Sequence, residues 1–173
     1  MKESPPSFDV TLVAAVSRDG FISTGAGVPW DLPADRKHFR AITSDQWLLV
    51  GRRTFDEMTG WFQNHTVFVL SGSPTFTPTV GRRVGNASEA ILLAREAAKT
   101  LWVIGGGKTY AEAMPFASRL ILTRVDDELD SGIPFPIIDP ERWALKESLP
   151  HPADARHAHA FTIQVWDRKR VRV

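Results

Sequence analysis

Short apolar runs alternate along this chain with longer segments of helical period. Six runs stand out: Val10 to Val16, Trp47 to Val50, Thr66 to Leu70, Leu101 to Ile104, Leu120 to Val125 and Phe161 to Trp166. Continuous, β-branched-rich runs of this length predict strands covered on both faces, the usual state of a parallel sheet. The helical segments between them are Pro33 with Ala34 to Ile42, the short Thr54 to Met58, Ser88 to Lys99 with Ser88 as N-cap, and Thr109 to Met114, stopped by Pro115. Strand, helix and strand in repetition predict a sheet with crossover helices. After Val125 the rhythm changes. Trp143 to Leu149 and Phe161 to Trp166 follow without a helix between them, which predicts an antiparallel hairpin at the sheet's edge. The expected fold class is α/β: a central, mostly parallel twisted sheet with flanking helices and a C-terminal antiparallel hairpin. Residues 1–7, polar with paired prolines, are expected to be a disordered leader, leaving 8–173 as a single domain.

Composition removes whole classes of function. With 21 Lys+Arg against 20 Asp+Glu, there is no long-range field toward nucleic acid or an anionic membrane. The basic end, Arg168-Lys169-Arg170-Val171-Arg172, reads as a solvated tail. The absence of cysteine excludes disulfides, thiolate metal sites and thiol nucleophiles at once. The run Val10 to Val16 is too short to span a membrane and lies between Asp9 and Arg18-Asp19, so it reads as a strand rather than a signal peptide. A cytoplasmic monomer acting on a small molecule is expected, with neither nucleic acid nor membrane as partner.

Two strand-to-helix junctions carry anion chemistry. Ile104-Gly105-Gly106-Gly107-Lys108-Thr109-Tyr110 is not a P-loop, because the glycine required five positions before Gly107 is Trp102. Nor is it a GxGxxG fingerprint, because the third glycine falls on Tyr110. Glycines that follow a buried strand and open a helix still allow close backbone approach to a phosphate. At Val50-Gly51-Arg52-Arg53-Thr54-Phe55, two guanidinium groups and a hydroxyl follow a second such glycine. Anion-ready junctions at two places on one sheet suit a dinucleotide.

On the Ala34 to Ile42 helix, Asp35 shares a face with Phe39 and Ile42, while Arg36, Lys37 and Arg40 turn elsewhere. A carboxylate held in an apolar cleft should have a raised pKa and could relay a proton near neutrality. The loop Gly25-Ala26-Gly27-Val28-Pro29-Trp30 could close over such a site, with the Trp30 indole N–H as a fixed donor. His157 and His159, at strand spacing, read as surface residues, and no metal site is expected.

Taken in order, these stretches resemble the dihydrofolate reductase family. The resemblance rests on Val13-Ala14-Ala15, Gly27-Val28-Pro29-Trp30-Asp31-Leu32-Pro33-Ala34-Asp35, Val50 to Phe55, Val103 to Tyr110, Leu120-Ile121-Leu122-Thr123, Phe135-Pro136 and the closing Phe161 to Arg168 strand. It implies NADPH-dependent hydride transfer to a dihydropterin, reducing 7,8-dihydrofolate to tetrahydrofolate. It also implies roles for particular residues. Asp35 would bind the amino-pyrimidine edge and support protonation of N5, with Thr123 assisting and Trp30 holding a water. Val13, Ala15, Val28, Arg36, Phe39, Met58 and Ile104 would meet the substrate. Ala15, Ile22, Gly51, Arg52, Arg53, Thr54, Leu70, Ser71, Gly105, Gly106, Gly107, Lys108, Thr109 and Tyr110 would meet NADPH, the arginines and Ser71 favouring its 2'-phosphate.

Three departures from the family pattern leave alternatives open. The arginine that clamps the substrate's glutamate tail falls on His65, Arg36 replaces an apolar residue, and Ser23 stands where the loop commonly has glycine. Arg36 or Arg40 could take over the tail contact. Otherwise the substrate is a dihydropterin without glutamate (dihydromethanopterin-like) or a riboflavin-pathway pyrimidine, or the chain binds NADP without turnover.

Overall fold

The computed structural model describes residues 9–170. The leader expected over residues 1–7 and the last part of the basic end lie outside the described residues. Ten strands and four helices follow in the order β1 (Val10–Ser17), β2 (Phe21–Ser23), α1 (Pro33–Thr43), β3 (Trp47–Gly51), α2 (Arg52–Glu57), β4 (Thr66–Leu70), β5 (Arg82–Val84), α3 (Ala87–Glu96), β6 (Leu101–Val103), α4 (Gly107–Ala113), β7 (Arg119–Val125), β8 (Ile133–Pro134), β9 (Trp143–His151) and β10 (Phe161–Arg168). Eight of these strands form one sheet in the order β5-β4-β3-β6-β1-β7-β10-β9, and β2 pairs with β8 in a small second sheet. All pairings from β5 to β7 are parallel, whereas β10 is antiparallel to both β7 and β9. The expected parallel sheet with a hairpin at its edge is what forms.

The continuous apolar runs follow from burial on both faces. Leu49 and Phe68 pack with Ala87, Ala90, Ile91, Ala94 and Tyr110 on the side of α3 and α4. Their neighbours Leu48, Val50, Val67 and Val69 point the other way, onto Phe55, Phe39 and Met58 of the α1 and α2 side. A smaller cluster of Leu32, Val125 and Phe161, with Ala15, Trp30 and Ala34 against it, seats the start of α1 on β7 and β10.

Sequence and structure differ at several ends. Asn86, not Ser88, caps α3: its side-chain oxygen accepts the Glu89 amide at 2.9 Å, and Ser88 lies inside the first turn. Ser88 is barred from the role because the capping residue must stay extended, and Asn86 is the residue in that conformation, at φ −157° and ψ 168°. The short strands β2, β5 and β8 had no counterpart in the apolar pattern, having two or three residues each. Asn86→Ala is expected to lower unfolding free energy by about 1 kcal/mol, with an unchanged slope against urea. An unaltered midpoint would mean that the cap contributes nothing.

Candidate functional site

In an open α/β sheet, ligands bind beyond the carboxyl ends of the strands, where the strand order reverses. Here β1 and β3 both flank β6. A cleft opens at that place, lined by Ala15 of β1, Gly51 at the end of β3, Leu70 and Ser71 at the end of β4, and Ile104 to Tyr110 after β6. Every residue expected to meet a dinucleotide lines it, including Ile22, Arg52, Arg53 and Thr54. Gly25 and Gly27 of the expected closing loop line it too, and Ser23, Glu57, Gly72 and Ile133 line it without having been anticipated.

The two glycine junctions are packed against each other. The Gly51 amide donates to the Gly105 carbonyl at 2.6 Å, and a Cβ added at Gly51 would stand 2.7 Å from Thr109 Oγ1. Gly105 has φ +128°, which excludes other residues on steric grounds, and its peptide bond to Gly106 is cis. The glycines thus bring the strand ends close enough for Thr54, Thr109 and Lys108 to border one cleft. Tyr110 is held beneath it, its hydroxyl donating to the Val13 carbonyl at 2.6 Å while burial pushes its pKa up.

The cations divide their work. Arg52 lies over the Phe76 ring, 4.1 Å from the centroid, and lines the same cleft as Ser71. Arg53 does not act as its twin. It donates to the Gly25 carbonyl at 2.8 Å and stands 3.8 Å from Glu57, so it ties α2 to the loop across the cleft. Ser23 completes that tie, accepting from the Gly25 amide and donating to the Gly27 carbonyl.

The carboxylate expected on α1 stands one strand away from this cleft. Ala15 is registered against Thr123 across β1 and β7, and Thr123 Oγ1 donates to Asp35 Oδ1 at 2.6 Å. Burial pushes the Asp35 carboxyl above its ordinary range; the Thr123 hydrogen bond and the charges of His38 and Arg36 pull it back only in part. Phe39 stacks on Trp61 with centroids 5.2 Å apart, and Phe39, Met58 and Ile104 share one apolar cluster. The helical period thus turns Asp35 toward Thr123, and Phe39, Met58 and Ile104 come together.

Three expectations need correction. Arg36 is exposed and paired with Asp31, away from the cleft, because the helical period that turns Asp35 inward turns its neighbour out. Of the two arginines offered for the outer contact, Arg40 is the one beside Trp61, Gln63 and His65. Trp30 spends its indole N–H on Asp127 Oδ2 at 2.9 Å, so that donor is not left for a water. His65 carries no cation to the place it occupies: it stacks on Trp61 at 4.6 Å, and burial lowers its pKa. His157 is buried rather than on the surface; its Nε2 accepts the Ala34 amide at 3.1 Å and its Nδ1 meets Asp154 Oδ1 at 2.8 Å. His151, Asp154 and His157 converge, with ligand atoms within 4.8 Å of one another, but both ring nitrogens of His157 are already engaged.

The dihydrofolate reductase family model matches residues 9–168. Dihydrofolate reductase type 3 of Salmonella typhimurium is 33% identical over 161 residues, covering 93% of this chain and 99% of the relative. Dihydrofolate reductase of Mycobacterium tuberculosis (strain H37Rv) is 35% identical over 144 residues, covering 78% and 83% respectively. Among solved structures, Enterococcus faecalis dihydrofolate reductase complexed with NADP(H) and RAB-propyl superposes with a TM-score of 0.83 at 25% identity, covering 94% of this chain and 97% of that one.

Gly51→Ala is expected to lower unfolding free energy by ~1–3 kcal/mol through overpacking against Thr109. Denaturant titration checks this, and a variant as stable as the parent would show that the junctions are not tightly packed.

Proposed function

The chain belongs to the dihydrofolate reductase family, and from that premise we propose how its own residues carry out NADPH-dependent reduction of dihydrofolate to tetrahydrofolate. The observation that carries the reading is the Thr123 to Asp35 hydrogen bond, held one strand from Ala15 of the cleft. A half-buried carboxylate with one donor among the described residues keeps most of its lone pairs for a ligand. It matches the paired N–H donors of an amino-pyrimidine edge, a feature that separates a pterin from most other hydride acceptors.

The donor set of the cleft fits NADPH. Arg52 and Lys108 supply charge, Thr54 and Ser71 supply hydroxyls, and Ala15, Ile22, Leu70 and Ile104 supply apolar wall. Bound there, the cofactor supplies the hydride. The protein's part is to hold the rings together, exclude water and manage one proton. In our reading Asp35 anchors the pterin and supports protonation of N5. Val13, Ala15, Val28, Phe39, Met58 and Ile104 wall the ring, and Trp30, fixed by Asp127, closes the loop side. The cleft and its carboxylate are built from one chain, which supports a single-domain monomer as the working unit. The near-balanced charge supports a cytosolic enzyme without nucleic-acid or membrane partners. Among the described residues no helix is long and apolar enough to cross a membrane.

Because burial raises the Asp35 pKa, its protonated fraction persists to higher pH than an ordinary aspartate would allow, and turnover should fall as pH rises through the raised value. Asp35→Asn is expected to lower turnover of dihydrofolate ~10²–10⁴-fold and to flatten this dependence, leaving NADPH affinity unchanged. NADPH oxidation rates with a separate binding titration check it; collapse of NADPH affinity would place Asp35 in the wrong half of the site.

We assign the outer, tail-facing contact to Arg40. Arg40→Ala should raise KM for dihydrofolate roughly threefold to tenfold at unchanged kcat, without affecting a dihydropterin that lacks the glutamate. Equal effects on both substrates would remove Arg40 from the tail contact.

A further inference from the structure

Helix α1 begins without a side-chain cap of its own: the side chain of Leu32, at the capping position, cannot accept a hydrogen bond. The missing acceptor comes from the connection between β9 and β10. His157 is 5% exposed, and its Nε2 accepts the Ala34 amide at 3.1 Å. An amide can only donate, so Nε2 must be unprotonated and Nδ1 must carry the hydrogen that goes to Asp154 Oδ1 at 2.8 Å. Asp154 is built to hold that tautomer. It exchanges two backbone hydrogen bonds with His157, at 3.0 and 3.2 Å, and its side chain also accepts the Arg156 amide. The titratable groups against His157 are Asp154 of its own turn and His151 of β9, whose ring is 4.5 Å away; α1 presents it with the Ala34 amide.

Ala34 immediately precedes Asp35. The same stretch is held at Trp30 by Asp127 and at Asp35 by Thr123, so three anchors set where the carboxylate points. We propose that His157 is a positioning residue for the reductase reaction: by accepting the Ala34 amide in one enforced tautomer, it fixes the first turn of α1 and thereby the aim of Asp35. The inference rests on the reductase reading above. A small misplacement of a catalytic group is enough to lower a rate severely while leaving binding elsewhere untouched.

Two substitutions separate positioning from simple scaffolding. In His157→Gln the side-chain oxygen takes the place of Nε2 and can still accept from Ala34, while contact with Asp154 is lost. In His157→Asn the amide takes the place of Nδ1 and keeps Asp154, but falls short of Ala34. The expected order of kcat is parent, then His157→Gln, then His157→Asn. His157→Asn should lose roughly tenfold, and the midpoint of its pH profile should move toward the ordinary aspartate range as Asp35 gains solvent, with NADPH affinity unaltered. If His157→Asn does not fold, Asp154→Ala carries the test, since freeing the tautomer must lower kcat in the same direction. Parent-like kcat and pH profile in His157→Asn, or equal losses in the Gln and Asn variants, would overturn the proposal. Absence of dihydrofolate turnover in the parent enzyme would instead overturn the reductase reading.

Discussion

In the function we propose, the chemistry depends on shielding one carboxylate, Asp35, from much of the surrounding water. Asp35 is turned inward by the helical period and, among the described residues, its carboxylate takes one side-chain hydrogen bond, from Thr123. Burial without full pairing is unfavourable for the charged form, which is why the pKa rises. The folded protein therefore binds the Asp35 proton more tightly than the unfolded chain does. Its contribution opposes folding increasingly as pH climbs from the unfolded pKa through the raised one, and it is constant beyond. The enzyme tolerates this loss because the same imbalance leaves Asp35 with lone pairs and a proton to offer a ligand.

The rest of the structure is arranged to maintain that imbalance. The parallel core places the ends of β1, β3 and β6 side by side, and glycines at Gly51 and Gly105 let those ends touch. This brings the dinucleotide cleft up to Ala15, whose registered neighbour on β7 is Thr123. Cofactor half and proton half thus meet across one strand pairing. From the opposite side, the β7–β8 connection holds Trp30 through Asp127, and the β9–β10 connection holds the start of α1 through His157. On the role proposed for His157, the C-terminal hairpin, which looks like an edge ornament of the sheet, becomes part of the catalytic scaffold.

How much of this could be read beforehand depended on distance along the chain. Strands such as β4, and the inward face of α1, are local consequences of apolar period, so Asp35 was legible. The glycine junctions were legible as well, because only a backbone without Cβ suits those positions. The partners of the site residues were not. Thr123 lies 88 residues from Asp35, Asp127 lies 97 from Trp30, and His157 lies 123 from Ala34. Thr123 was reachable only through family resemblance; the other two had no local signal. Arg36 shows the reverse case, in which helical period pointed outward and the resemblance alone drew it toward the substrate. For α3, Asn86 and Ser88 are both capping residue types, and only the extended backbone of Asn86 decides between them.

The most direct test is an NMR titration of carboxyl-labelled aspartate in the folded enzyme, following Asp35 by its loss in Asp35→Asn. Asp35 should titrate above the ordinary aspartate range, and replacing Thr123 with Val should push it higher still. Titration of Asp35 within the ordinary aspartate range, or no response to the loss of Thr123, would contradict the account of a half-buried carboxylate bonded to Thr123 as the centre of this enzyme.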